Sequence, residues 1–100
     1  MRALVGDLVV AESPEEDLVR IEGNWYFPQS SLTEGLLVES PTPYTCPWKG
    51  VCQYWSLQSD DVQIADVGWS YPEPYDGAVE RVGRDFAGHV AFGKDVSVVP

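Results

Sequence analysis

Histidine, cysteine and positive charge are all scarce in this chain. Its 100 residues hold one His, two Cys and six Lys or Arg. Each scarcity removes a class of chemistry. A zinc knuckle needs two close pairs of ligands. Cys46 and Cys52 have five residues between them, no second cysteine pair follows, and His89 stands alone. No metal site and no cofactor are therefore expected. Six bases against 16 acids leave a formal charge of −10, which repels phosphate backbones and anionic bilayers. Nucleic acid is thus not an expected partner. No apolar run reaches the length that crosses a bilayer, and Met1 to Val10 lacks the apolar stretch of a secretory leader. The chain reads as cytoplasmic, with no membrane partner and with thiols kept reduced. The glycines do not fall at phosphate-cradling or dinucleotide spacing either.

What remains is an ordinary hydrophobic content of 44% and a high aromatic content of 12%. One hundred residues make one domain, residues 1–100, able to bury a core without disulfides. Short apolar runs alternate with turn residues, the pattern of a mainly β domain. A strand is expected over Leu4 to Ala11. Leu18–Glu22 and Trp25–Pro28 flank Gly23-Asn24, which suits a two-residue hairpin turn; that register sets Ile21 opposite Tyr26 and Val19 opposite Pro28. Ser30–Glu34 reads as one helical turn and Leu36–Ser40 as a strand. Pro41 and Pro43 bracket a loop. Val51–Gln58 alternates, with Cys52, Tyr54, Ser56 and Gln58 on one face. Val62–Tyr71 is a further strand, with Ala65, Val67, Trp69 and Tyr71 on one face. Asp76 caps a short helix, and His89–Phe92 and Val96–Val99 are the last strands. The sum is about eight short strands with one or two short helices.

Two short runs concentrate chemistry. Cys46-Pro47-Trp48-Lys49-Gly50 brings a rare thiol, a rare cation and an indole together between two residues that bend the backbone. If Pro47–Val51 is a hairpin loop, Cys46 and Cys52 face one another with Cα atoms roughly 4.5–5.5 Å apart, within disulfide reach. Two reduced, partly buried thiols are the simpler arrangement. Cys46 as a nucleophile needs a lowered pKa, for which Lys49 is the cation nearest in sequence. Lys49 itself suits a Schiff base, acid–base work, or an anchor for a ligand carbonyl or carboxylate. Trp69-Ser70-Tyr71-Pro72 is the second run. With Trp48, Tyr54 and Trp55, its rings would make an apolar wall with polar tips, the usual build of a small-molecule site.

The runs "VRIEGNWYFP", "TCPWKG", "WSYPEP" and "GHVAF", in that order, resemble the bacterial family labelled domain of unknown function four-two-seven. The resemblance covers about Val19 to Phe92. Its recurrent residues map onto Cys46, Pro47, Trp48, Lys49, Gly50, Trp69, Ser70, Tyr71 and Pro72. The resemblance implies a β-tent-like fold, with two antiparallel sheets packed at an angle. Such folds often hold zinc between two cysteine pairs, which this chain lacks, and some relatives bind ligands in an aromatic cage, which fits Trp48, Trp69 and Tyr71. The family has also carried a nucleotidyltransferase label, but the Gly-Ser motif and Asp-x-Asp pair of that chemistry are absent here.

Three functions compete. The first is a domain binding a small molecule through Trp48, Lys49, Tyr54, Trp69, Ser70 and Tyr71, with Lys49 as polar anchor. The second is an enzyme using Cys46 or Lys49 in covalent or acid–base chemistry. The third is an interaction module using the acidic surface. The sequence sets neither the ligand nor the oligomeric state.

Overall fold

A computed structural model describes residues 1–100. It is mainly β. Nine strands run in three antiparallel sheets, against the expected eight or so in two. β1 (Arg2–Val5) and β2 (Leu8–Glu12) form a hairpin, and β9 (Ser97–Val99) pairs with the other edge of β1. β3 (Val19–Ile21) and β4 (Asn24–Tyr26) form a second hairpin. β5 (Leu37–Cys46), β6 (Gly50–Gln58), β7 (Gln63–Ser70) and β8 (Val90–Phe92) make the main sheet in chain order. One helix, α1 (Asp76–Val82), lies between β7 and β8. It ends at Gly83, whose φ of 85° makes the left-handed cap.

The main sheet is covered on both faces. The cluster against one face takes Ala3, Val10 and Ala11 from the first hairpin and Leu57, Val67, Val90 and Phe92 from the main sheet. The cluster against the other takes Val19, Ile21 and Tyr26 from the second hairpin, Ala78 from α1, and Phe86, Cys46, Cys52, Tyr71 and Ala91. Val90 and Phe92 fall in one cluster and Ala91 in the other, as strand alternation requires. Tyr26, Tyr71 and Phe86 meet edge to face, with ring centres 6.1 and 6.3 Å apart. Each fully buried large ring contributes roughly 1.5–3 kcal/mol. The second hairpin is tied to the main sheet at Phe27, which exchanges two backbone hydrogen bonds with Val90 at 2.8 and 2.7 Å. That bond pair holds the hairpin beside the β8 edge.

Four expectations are corrected. Leu4 to Ala11 is not one strand: Gly6-Asp7 turns the chain, and Val5 faces Leu8. The second hairpin turns one residue earlier than expected, at Glu22-Gly23, with φ of 53° and 83°. Val19 therefore faces Tyr26. Glu22 adopts a backbone region more often given to Gly or Asn, so the turn was misplaced onto Gly23-Asn24. Pro41 and Pro43 lie within β5 rather than in a loop. β5 is an edge strand with a register shift between Glu39 and Pro43, the place where a sheet tolerates residues lacking an N–H. Finally, Cys46 faces Gly50 and Cys52 faces Tyr44, so the cysteines are not opposed. The loop between β5 and β6 is only Pro47-Trp48-Lys49. Gly50 closes it at φ 118°, a conformation that L side chains rarely adopt. Both cysteines are buried free thiols.

Candidate functional site

The face of the main sheet toward the second hairpin carries a patch of rings. Tyr44 is opposite Cys52, and Tyr54 is opposite Trp69. Tyr71 follows Trp69 by two residues and so returns to the same face. The hairpin stands over this patch with Glu22, Asn24 and Tyr26. Between them is a cavity of about 390 Å³. Lys49 reaches it from the tight β5–β6 turn, and Asp66 from β7.

The placement of Asp66 comes from a bulge. Trp55 pairs with Gly68 and Leu57 pairs with Ile64, so Ser56 alone stands opposite Ala65, Asp66 and Val67. Asp66 has φ 52°, and its N–H donates to Ser56 Oγ at 3.1 Å. A bulge re-aims a side chain and increases local twist. Here it leaves the Asp66 carboxylate in the cavity wall. Thr42 Oγ1 donates to Oδ2 at 2.8 Å, while Oδ1 is shielded from solvent and has no partner.

Lys49 is only 6% exposed, unusual for a lysine. Its ammonium donates to Glu22 of the hairpin turn, and the two form an ion pair. Nζ also sits 5.1 Å from the ring centres of both Tyr71 and Trp48. Burial alone would lower the lysine pKa. The hydrogen bond to Glu22 and the charges of Tyr26 and Glu22 outweigh it, and Lys49 is held above its ordinary value. The cavity thus contains a firmly charged ammonium. Burial raises the phenol pKa of Tyr26, Tyr54 and Tyr71, most strongly for Tyr71, with Trp69 and Lys49 opposing it at Tyr26. Tyr26 accepts a hydrogen bond from Trp69 Nε1 at 3.0 Å, which locks the hairpin to the sheet across the cavity.

Comparison of the sequence with known families decides the chain's membership. Residues 1–99 match the family described as "Domain of unknown function (DUF427)". The chain belongs to that family. No curated protein matches it. The family carries no assigned activity in that description, so the chemistry of this DUF427 chain rests on its own residues.

Of the residues singled out from sequence, Lys49, Tyr54, Trp69 and Tyr71 all line this cavity. Four lie elsewhere: Trp48, Trp55, Ser70 and Cys46. Trp48 stacks beneath Arg81 of α1, whose Cζ is 4.4 Å from the indole centre, and so ties the turn to the helix. Ser70 is buried on the opposite face of β7, where Trp55 Nε1 donates to its Oγ at 3.0 Å. Cys46 is buried in the core cluster under the hairpin. The thiol lining the cavity is Cys52, and burial raises its pKa, so it stays protonated and a poor nucleophile. His89 lies outside the cavity, with Nδ1 3.2 Å from the Ala87 carbonyl. No group of three or more His, Cys, Asp or Glu is close enough to hold a metal ion. Sequence reasoning missed Glu22, Tyr26, Tyr44 and Asp66. Tyr44 carried a usable signal, two residues before Cys46 in the same strand. Asp66 carried none, because the bulge alone brings it in.

Proposed function

We propose that this domain binds a small organic molecule in the cavity between the second hairpin and the main sheet. The rings of Tyr44, Tyr54, Trp69 and Tyr71 pack on the ligand, and Lys49 donates to one of its oxygens. The observation that carries this reading is a buried, charged lysine beside a ring-lined cavity of about 390 Å³. That volume lies within the range of ordinary small-molecule sites. An ammonium has three N–H donors; Glu22 takes one, and the Tyr26 hydroxyl lies within its reach. Desolvating a lysine is costly unless its donors are used. The donor left over suits a ligand carbonyl or hydroxyl.

The covalent alternative has less support. A Schiff base requires a neutral amine, and the raised pKa of Lys49 works against one. Cys46 sits in the core rather than in the cavity.

A melting-temperature screen of water-soluble metabolites tests the binding reading. A ligand present at about 100 times its Kd stabilises the fold by roughly 2.7 kcal/mol. At least one compound is expected to raise the melting temperature of the wild type. Its effect should shrink in Lys49→Met, which keeps the buried stem and removes the donors. A screen in which no compound shifts the wild type argues against the proposal, as does a shift that Lys49→Met leaves intact.

A further inference from the structure

The Asp66 carboxylate deepens that reading. Buried polar groups are nearly always hydrogen-bonded, and each exception calls for a cause. Asp66 offers about four lone-pair positions, and the only side-chain donor on them is Thr42. Oδ1 is shielded from solvent and unpartnered. The bulge that places the group costs backbone strain, since a non-glycine residue is held at φ 52°. A strained residue holding an under-satisfied carboxylate in a cavity wall is poor design for stability alone.

The charges around the cavity point the same way. Glu22 and Lys49 form one ion pair and largely offset each other. Asp66 has no cation beside it in any ion pair. The cavity therefore carries a net charge of about one negative unit, in a protein whose formal charge is −10. The wall next to Asp66 is aromatic, with Tyr44 and Tyr54 lining the same cavity. Ring faces attract cations.

Resting on the ligand-binding reading above, we infer that the ligand is a small organic cation. A protonated amine sits at Asp66 between the tyrosine rings, and a hydroxyl or carbonyl oxygen on the same molecule accepts from Lys49. The offset of Lys49 by Glu22 favours a neutral oxygen over a carboxylate at that end. Binding needs no covalent step. The ammonium donates to the Asp66 carboxylate from the cavity side; reaching the shielded Oδ1 requires a neighbouring side chain to shift, and Tyr44, 47% exposed, is the one proposed to move.

Two matched sets of probes test this on the full chain. One is benzylamine, benzyl alcohol and benzoate; the other is glucosamine, glucose and glucuronate. Each set holds the body constant and changes the charge, and the two bodies separate aromatic from sugar amines. Binding is followed at millimolar concentration by NMR shifts of the Trp69 indole and neighbouring amides. The amine of at least one set is expected to bind about tenfold or more tightly than its neutral and anionic partners. Asp66→Asn should erase most of that preference. Asn tolerates the left-handed backbone, so this variant keeps the bulge, and the selectivity of the wild type needs no variant at all. Neutral or anionic probes binding as well as the amines, with sensitivity to Lys49→Met, would overturn the ammonium inference and leave the ligand-binding proposal standing. Amine binding that Asp66→Asn does not weaken would overturn the role of Asp66. No shift from any of the six probes also sinks the inference, and the metabolite screen then judges the wider proposal separately.

Discussion

Asp66 and Lys49 are the two residues where stability and binding pull apart. Asp66 holds a shielded, unpartnered oxygen on a left-handed backbone. Asp66→Asn keeps the backbone preference and removes the under-satisfied charge. It is expected to raise stability by up to about 1 kcal/mol, since leaving a buried polar group unsatisfied costs roughly 1–3 kcal/mol. Asp66→Ala should instead lower it by about 1–2 kcal/mol, because Ala is penalised in that conformation. Urea unfolding of the three proteins decides the matter; a less stable Asn variant would show that the carboxylate serves the fold. The cysteines give a second check at this scale. Both are buried, and burial raises the Cys52 pKa. A disulfide-exchange reagent at neutral pH should label neither thiol quickly in the folded protein and both after denaturation. A fast native reaction at Cys46 would revive the nucleophile reading.

Among the elements, β7 is the one on which fold and cavity both depend. Its central Gly68 packs its backbone against β8. A Cβ there would lie 2.8 Å from the Ala91 carbonyl and 3.1 and 3.2 Å from Phe92 and Val90. Gly68→Ala is therefore expected to cost about 1–3 kcal/mol by overpacking, visible as a lower melting temperature, whereas Gly77→Ala meets open space and lies in α1. Equal melting temperatures for the two would refute the close packing of β7 on β8. The same strand shows what could be read from the chain. Alternation identified β6 and β7 and the shared face of Trp69 and Tyr71, because side-chain period is local, but it also placed Val67 on that face, and the bulge sends Val67 to the opposite one. The "CPWKG" turn was legible for a similar reason: proline, glycine and a lysine mark a bend. Asp66 was not legible, since a bulge depends on how two strands pair and not on either alone. Glu22 and Tyr26 join the cavity through the Phe27–Val90 bonds, the Tyr26–Trp69 bond and the Glu22–Lys49 ion pair, contacts far apart in sequence. Ser70 was assigned to the cavity because it sits between two ring residues, but alternation sends it to the other face.

At the level of the whole molecule, the shifted groups all act in one direction. Cys52, Tyr26, Tyr54, Tyr71 and Lys49 have pKa values raised above 9.0, 10.0 and 10.5 for thiol, phenol and ammonium. For each, the unfolded chain loses its proton first as the pH rises. The folded state then binds more protons, so stability falls with pH through this interval. Whatever these groups contribute is fully present below pH 9 and is lost as the pH climbs past the thiol, then the phenols, then the ammonium. Rising charge on a chain already at −10 adds repulsion in the same direction. Cooperative unfolding is therefore expected to begin in the alkaline range, above about pH 9–10, and to be followed by circular dichroism. Tyr71 carries the largest shift, caused mainly by its burial. Tyr71→Phe removes that titration while keeping the ring against Phe86, so it should move the alkaline midpoint to higher pH. Unfolding of this variant at the wild-type midpoint would show that Tyr71 does not set it, and would leave the cause with Cys52, Tyr26, Tyr54 or Lys49, the last of which ties the hairpin over the cavity through its ion pair with Glu22.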